Sequence, residues 1–197
     1  MAAVERSEMS EAHTTDTNVR QEAGTIEDGN PVRLDSEKAE QIVDALNTEL
    51  ATEYVVYHQL KKHHWDVEGA EFRDLHLFLE EAYEHVEENA DAIAERITAL
   101  GGVPVSSPSN QEEMSIVDFE GEDIYDVRTM LSNDLEGYGD LVTTMREHVE
   151  LARNLGDHAT AELVSQHLVD FEEDAHHFAH YLEDDTLVLD EAVHTAD

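Results

Sequence analysis

Apolar residues recur at intervals of three and four along most of the chain, which is the spacing of one face of an α-helix. The first such stretch begins after Asp35, a residue type that caps helix N-termini, and runs to His64. A second stretch runs from Phe72 to Leu100 and stops at a pair of glycines. The pattern therefore predicts two long helices joined by a tight turn.

The second half of the chain shows the same spacing after a long interruption. Residues 101–122 exceed the 2–8 residues that usually join adjacent antiparallel helices, so we expect a crossover connection, with room for a short helix over residues 111–117. A third helix is predicted over residues 123–155 and a fourth after Asp157, with Gly156 between them. Four long helices with one crossover predict an all-α, ferritin-like four-helix bundle.

The two ends of the chain lack this periodicity. Residues 1–34 are rich in Ser, Thr, Asn, Glu and Gly, and we expect an acidic tail with little structure of its own that can still dock onto its neighbours. Residues 186–197 predict a second acidic tail. The bundle is therefore expected to occupy residues 35–185.

Charge is the most unusual feature of the composition. The 197 residues are 40% hydrophobic, enough for one sizeable core, yet 48 acidic side chains face 11 basic ones and give a formal charge of -37. Such a surface repels itself in dilute salt, whereas the Debye length shrinks to about 3 Å at 1 M salt. We interpret the charge as adaptation to a salty cytosol. The alternative is an acidic protein that mimics nucleic acid or attracts cations.

The sequence contains no candidate membrane span. Its longest uninterrupted apolar run covers residues 54–57, far short of the ~20 residues that a span needs. The first residues are acidic and lack the apolar stretch of a secretory signal. We therefore expect a cytoplasmic protein with no membrane partner.

Histidines and carboxylates around the first turn suggest a metal site. Either His63 or His64 could face His76 across the turn, and the phase of the first helix favours His64. Glu80 lies one helical turn after His76. Imidazole and carboxylate together suit a redox-active divalent transition metal such as iron, and the absence of cysteine excludes a zinc knuckle.

A second pair, Asp91 and Glu95, lies further along the second helix at the same spacing. Fifteen residues of helix place Asp91 about 22 Å from His76 but only about 60° around the axis. The two pairs cannot share a metal within one chain. Two antiparallel copies of the second helix across a twofold axis would bring them together, so metal binding by all four residues implies a symmetric dimer with two equivalent intersubunit sites.

These residues lie within three short motifs that resemble the signature of Dps, the ferritin-like miniferritins of starved prokaryotic cells. The resemblance is carried by Lys61-x-x-His64-Trp65, Gly69-x-x-Phe72-x-x-Leu75-His76 and Asp91-x-Ile93-Ala94-Glu95-Arg96. It implies a hollow dodecamer built from twofold dimers, which oxidises Fe²⁺, preferably with hydrogen peroxide, and stores ferric mineral inside.

The resemblance also implies roles for individual residues. His64 and His76 of one subunit, with Asp91 and Glu95 of its partner, would be the iron ligands and catalytic residues. Glu80 would be a further ligand, at a position where the family commonly has Asp. Trp65 resembles the aromatic residue beside the family's iron site, although it could equally be a core anchor.

Four more acids of the second helix, Glu81, Glu84, Glu87 and Glu88, form an acidic stripe. The resemblance suggests that they face the cavity and nucleate mineral. A solvated face suited to high salt explains them equally well.

The fourth helix carries a Glu-x-x-His pair, Glu173 and His176, with two more histidines close by, His177 and His180. A di-iron site inside the bundle would need a second such motif on the second helix, where there is none, so these histidines are candidates only for secondary metal sites. The resemblance further suggests a pore for iron uptake lined by three residues, Asp157, His158 and Glu162.

Direct DNA binding is not expected. Many Dps proteins use a lysine-rich tail, whereas residues 1–34 here contain no lysine and seven acids against three arginines. Phosphate contacts need Lys and Arg, so this surface would repel DNA. We predict an iron-storing ferroxidase, and the alternative is an acidic structural bundle that sequesters cations without turnover.

Overall fold

The computed structural model describes residues 18–183, which form five α-helices and no β-strand. The helices are α1 (Ser36–Asp66), α2 (Phe72–Ala99), α3 (Pro108–Met114), α4 (Val127–Leu155) and α5 (His158–Tyr181). The predicted all-α four-helix bundle is confirmed, and α3 lies within the crossover. Residues 1–17 of the predicted N-terminal tail, residues 184–185 of the predicted bundle and the predicted C-terminal tail, residues 186–197, lie outside the described residues.

The long helices pack as two hairpins. α1 packs mainly on α2 and α4 mainly on α5, while α1 also contacts α4 and α2 contacts α5. Their apolar faces meet in one continuous core whose largest fully buried side chains include Tyr138, Phe171 and Phe178. Burial of each such side chain contributes about 1.5–3 kcal/mol, so the core supplies most of the energy that fixes the helices.

The helix ends follow local capping chemistry. The side chains of Asp35, Asp126 and Asp157 accept hydrogen bonds from backbone N–H groups in the first turns of α1, α4 and α5. Gly156 ends α4 in the left-handed conformation, at φ 87°. Because residues without a β-carbon adopt this conformation readily, Gly156 allows the tight turn into α5.

Two predicted boundaries were wrong. The third long helix was expected from residue 123 but begins at Val127, because the Asp126 carboxylate caps the N–H of Thr129. The short helix was expected over residues 111–117 but spans Pro108–Met114. Proline is favoured in the first turn of a helix, where its missing N–H costs no hydrogen bond.

Residues 18–34 contain no helix or strand, yet they dock against the C-terminal end of α2. The backbone N–H of Glu27 and the side-chain amide of Gln21 each donate to the carbonyl oxygen of Gly101 at 2.8 Å. The Asn30 side chain is buried and bonds the backbone of Leu34 in both directions. This part of the predicted tail therefore has a defined place on the bundle.

Within residues 18–183, no helix is both long and apolar enough to cross a membrane.

Close packing at Gly102 gives a first prediction. A β-carbon at this position would lie 2.6 and 2.9 Å from the two γ-carbons of Val43 and 3.1 Å from Cγ2 of Ile97. Gly102→Ala should therefore lower the free energy of unfolding by about 1–3 kcal/mol, measured by thermal unfolding in molar salt. The matched control is Gly139→Ala in α4, where the added carbon meets no atom within 4 Å and should stabilise by about 0.5–1 kcal/mol. Equal effects of the two substitutions would contradict this packing.

Candidate metal centre

The turn between α1 and α2 brings the candidate histidines together. Val67 ends α1 and donates its N–H to the carbonyl of His63 at 2.9 Å, and Gly69 follows at φ 102° before α2 begins. This reversal places the last turn of α1 beside the first turns of α2. His64 and His76, which are 12 residues apart in sequence, become neighbours.

The two imidazoles hold each other through the backbone. Nδ1 of His64 lies 2.9 Å from the carbonyl oxygen of His76, and Nδ1 of His76 lies 2.9 Å from that of His64. The rings stack with centroids 3.7 Å apart. Because a carbonyl oxygen only accepts, both Nδ1 atoms carry a proton, and this is the tautomer in which the lone pair lies on Nε2. That is the tautomer that a metal ligand needs.

His63, the alternative partner for His76, points into the bundle instead. Its Nδ1 lies 2.7 Å from a carboxylate oxygen of Asp134, and its Nε2 lies 2.7 Å from one of Glu120. Burial alone would lower the pKa of His63, but the hydrogen bonds and charges of Asp134 and Glu120 outweigh it and raise that pKa. His63 therefore links α1 to α4 and to the crossover, a role that the periodicity did not reveal.

Glu80 is half-buried one turn beyond His76. The Tyr83 hydroxyl donates to Glu80 Oε1 at 3.3 Å, and the edge of its ring meets His64 with the two ring centroids 5.4 Å apart. The Lys61 ammonium lies 3.8 Å from the centroid of the same ring. Tyr83 thus connects the carboxylate to the histidine pair and positions both.

Asp91 and Glu95 lie on the exposed surface toward the other end of α2. Because α2 is one unbroken helix from Phe72 to Ala99, the separation of about 22 Å from the histidines holds. The structure therefore does not bring the four predicted ligands together within one chain. A complete site needs a second subunit or a different set of ligands.

Trp65 is 70% exposed, so it is not a core anchor of this chain. It directly follows His64, and Phe72 and Leu77 at the start of α2 are also 46% and 45% exposed. Large apolar side chains around a polar site leave a surface that another subunit can cover.

Comparison with known proteins decides the family. A family model described as the ferritin-like domain matches residues 43–188. The DNA protection during starvation protein of Halobacterium salinarum is 58% identical over 180 residues, which cover 91% of this chain and 99% of that protein. The chain belongs to the Dps family.

Solved Dps structures agree with this assignment. The crystal structure of an archaeal Dps homologue from Halobacterium salinarum matches with a TM-score of 0.87 at 59% identity, covering 90% of this chain and 98% of that one. The Dps protein of Vibrio cholerae O1, described as a member of a broad superfamily of ferritin-like diiron-carboxylate proteins, matches with a TM-score of 0.74 at 29% identity over 78% of this chain and 96% of that one. The Dps fold thus covers most of this chain.

The acidic stripe of this Dps protein is on the surface, as all four side chains of Glu81, Glu84, Glu87 and Glu88 are exposed. Glu173 and His176 of α5 are exposed too, and Nε2 of His176 lies 3.0 Å from that of His180. Their exposure keeps the Glu-x-x-His pair out of the bundle interior.

Three titratable side chains that the sequence analysis overlooked do lie inside the bundle: Glu49, Glu53 and His167. The two acids sit three residues after Leu46 and Leu50, so they share the buried phase of α1. That phase was the signal that could have identified them.

Asp157 does not line a pore. It is buried, and Arg96 donates to its two carboxylate oxygens at 2.7 and 2.8 Å while Thr160 supplies further hydrogen bonds. Burial raises the pKa of Asp157, but the bonds from Arg96 and Thr160 outweigh it and hold that pKa below its ordinary value. His158 and Glu162, the other residues predicted at the pore, are exposed.

The Arg96–Asp157 pair gives a pH prediction. The Asp157 carboxyl has a pKa of about 3.9 in an unfolded chain and a lower pKa in the folded chain. The pair therefore stabilises the fold fully above about pH 5, and this stabilisation is lost as the pH falls through the pKa of the folded chain. Asp157→Asn, which keeps a cap but removes the charge, should cost about 1–3 kcal/mol at pH 7, and the difference from wild type should narrow below about pH 4. Urea unfolding in molar salt at several pH values measures it.

The matched control for this measurement is Asp126→Asn, the same change at the exposed cap of α4. It should have the smaller effect, because water screens its carboxylate. Equal losses from the two variants at pH 7 would show that the buried pair adds nothing to the cap.

Proposed function

We propose that the chain is a ferroxidase that assembles into a hollow dodecamer, oxidises Fe²⁺ at sites between subunits and stores the ferric product inside. The observation that carries the proposal is the pairing of His64 with His76 through reciprocal backbone bonds, which leaves both Nε2 atoms ready to ligate. The partner ligands would be Asp91 of the partner subunit and Glu95 of the partner subunit. The rigid length of α2 supports their supply from a second chain.

The ligand set suits the oxidation. Two neutral imidazoles and two carboxylates balance the charge of Fe²⁺, and Glu80 adds a third carboxylate that matches Fe³⁺ better. Anionic oxygen ligands stabilise the ferric ion over the ferrous one, so they favour the loss of an electron. One hydrogen peroxide accepts two electrons, so two Fe²⁺ ions and two protons are consumed per peroxide as two water molecules form.

The acidic stripe is proposed to collect the product. Its four exposed carboxylates, Glu81, Glu84, Glu87 and Glu88, lie within about two helical turns of α2 and provide hard oxygen ligands for ferric ions. Placement of α2 along the cavity wall would make this surface a nucleation site for mineral.

Protection of DNA would then be indirect. A chain with a net charge of -37 repels phosphate, and raising salt to screen the repulsion also weakens any phosphate contact. We therefore propose that the protein does not bind DNA and that its assembly needs concentrated salt. An electrophoretic DNA shift that persists in molar salt would contradict the absence of DNA binding. A shell that is equally stable in millimolar and molar salt would contradict the need for concentrated salt.

The kinetics of iron oxidation test the function. Apo-protein in molar salt is mixed anaerobically with Fe²⁺ before addition of hydrogen peroxide, and ferric absorbance is followed. Oxidation should exceed that in buffer, with the iron retained in a soluble shell of high mass. His64→Ala combined with His76→Ala should slow it at least about tenfold, because both nitrogen ligands are lost.

The control variant is His58→Ala, an exposed histidine on the same helix that belongs to no predicted site. It should oxidise iron at the wild-type rate. Wild-type oxidation no faster than buffer would instead favour an acidic bundle that sequesters cations without turnover.

A further inference from the structure

The interior of the bundle contains a cluster of three ionisable side chains far from the intersubunit site. Glu49 and Glu53 of α1 are 0% exposed and His167 of α5 is 6% exposed. One ligand atom from each residue lies within 4.8 Å of the others. Eleven residues of α1 separate Glu53 from His64, which is about 16 Å along the helix.

Four polar atoms of the cluster have no hydrogen-bond partner. Glu49 Oε1, both carboxylate oxygens of Glu53 and Nδ1 of His167 are buried without a hydrogen bond. The other oxygen of Glu49 lies 2.7 Å from Nδ1 of His148, which fixes the direction of the free one. A neighbouring side chain that orients a carboxylate by a hydrogen bond is typical of metal ligands.

Most other buried carboxylates of this chain have a partner that offsets the cost of burying their charge. Five are buried among residues 18–183, and four of them contact a histidine or arginine within 3.2 Å: Glu49, Asp134, Asp157 and Asp174. Glu53 has neither a cation nor a hydrogen-bond donor. Buried charge without a partner is strongly disfavoured, so Glu53 lacks the partner that the other four buried carboxylates have.

Protonation alone does not complete the cluster. Burial raises the pKa of Glu49 despite His148, and burial and the charge of Glu49 raise that of Glu53. Burial also lowers the pKa of His167 to about 4 against the charge of Asp170, so its ring is neutral. Neutral acids would remove the charge, but their O–H and C=O groups would remain without hydrogen bonds.

We propose that Glu49, Glu53 and His167 bind one divalent transition-metal ion inside each subunit. Two carboxylates neutralise its charge, and the imidazole selects Fe²⁺, Co²⁺ or Zn²⁺ over Ca²⁺ and Mg²⁺. This site uses residues different from those of the proposed ferroxidase and does not depend on it.

The position of the ion gives it a structural role. α1 packs on α2 and α4, whereas α5 packs on α4 and α2, so α1 and α5 lie diagonally across the bundle. An ion held by both would link the two hairpins through the core. Metal binding to the folded state alone must raise the unfolding temperature.

Cobalt is the probe for the test, because Co²⁺ accepts the same nitrogen and oxygen ligands as the other divalent transition metals and has a visible spectrum. The full chain carrying His64→Ala and His76→Ala is refolded with excess Co²⁺ in molar salt. It is then passed over a chelating resin that removes cobalt bound to exposed carboxylates. Refolding allows the ion to reach a site with no solvent exposure. We expect one retained Co²⁺ per chain, visible bands of a nitrogen–oxygen site and a higher unfolding temperature than the metal-free protein.

Two further substitutions in that background separate the buried site from surface binding. Glu53→Gln removes one ligand charge with little change of shape and should abolish the retained cobalt and its thermal effect. Glu147→Gln makes the same chemical change at an exposed position of α4 and should abolish neither. Equal retention by the Glu53→Gln and Glu147→Gln proteins, or no retention by either, would overturn the proposal.

A diffraction measurement keeps the test decisive if Glu53→Gln fails to assemble. Wild-type protein refolded and crystallised with Co²⁺ is measured at the cobalt absorption edge. An anomalous peak among Glu49, Glu53 and His167 supports the site. Cobalt bound elsewhere in the crystal with no peak there would refute it.

Discussion

The rigidity of α2 is the constraint on which the rest of the account depends. Its 28 residues contain neither glycine nor proline, and one face is fixed against the core by residues from Leu75 to Ile97. A helix held in this way cannot bend to bring His76 to Asp91. The two pairs of candidate ligands face nearly the same direction about 22 Å apart, so a site that uses both pairs must cross a subunit boundary.

The small number of positive charges is a second constraint, because it limits how many buried acids can be paired. The chain has only 11 lysines and arginines, yet two of them, Lys62 and Arg96, bind acids that are buried or half-buried. Lys62 and His63 both bind Glu120 and so attach the crossover to α1, while Arg96 binds Asp157 and joins α2 to the start of α5. Glu53 has no such partner, and one oxygen of Glu49 is also without a hydrogen bond. These free oxygens are the basis of the proposed metal site.

Local pattern was enough to predict the helices and the choice of His64 over His63. Both follow from the phase of apolar residues, which records the burial of each helix face. The onset of α4 was missed because Asp126 lies in an acidic run whose members look alike until one of them caps Thr129. The tail was expected to be able to dock, but the place where residues 18–34 dock could not be predicted, since it relies on single hydrogen bonds to Gly101 rather than on periodicity.

Contacts between residues far apart in the sequence were the features that could not be predicted. Asp157 was assigned to a pore because its partner Arg96 lies 61 residues earlier, and no local sequence feature indicates that the two side chains pair. Glu49 and Glu53 were overlooked because acids at i, i+4 are common in so acidic a protein, although their position in the buried phase of α1 pointed inward. His167 reaches the same cluster from another helix, which no local spacing encodes.

The most direct test of the central claim mixes two inactive proteins. His76→Ala and Asp91→Ala each damage every intersubunit site when assembled alone. In a mixed twofold dimer, one site carries both lesions and the other carries neither, so random reassembly should restore about a quarter of the wild-type ferroxidase activity. If each site drew its ligands from one chain, mixing would restore nothing, and that result with mixed assembly verified by mass would contradict the account.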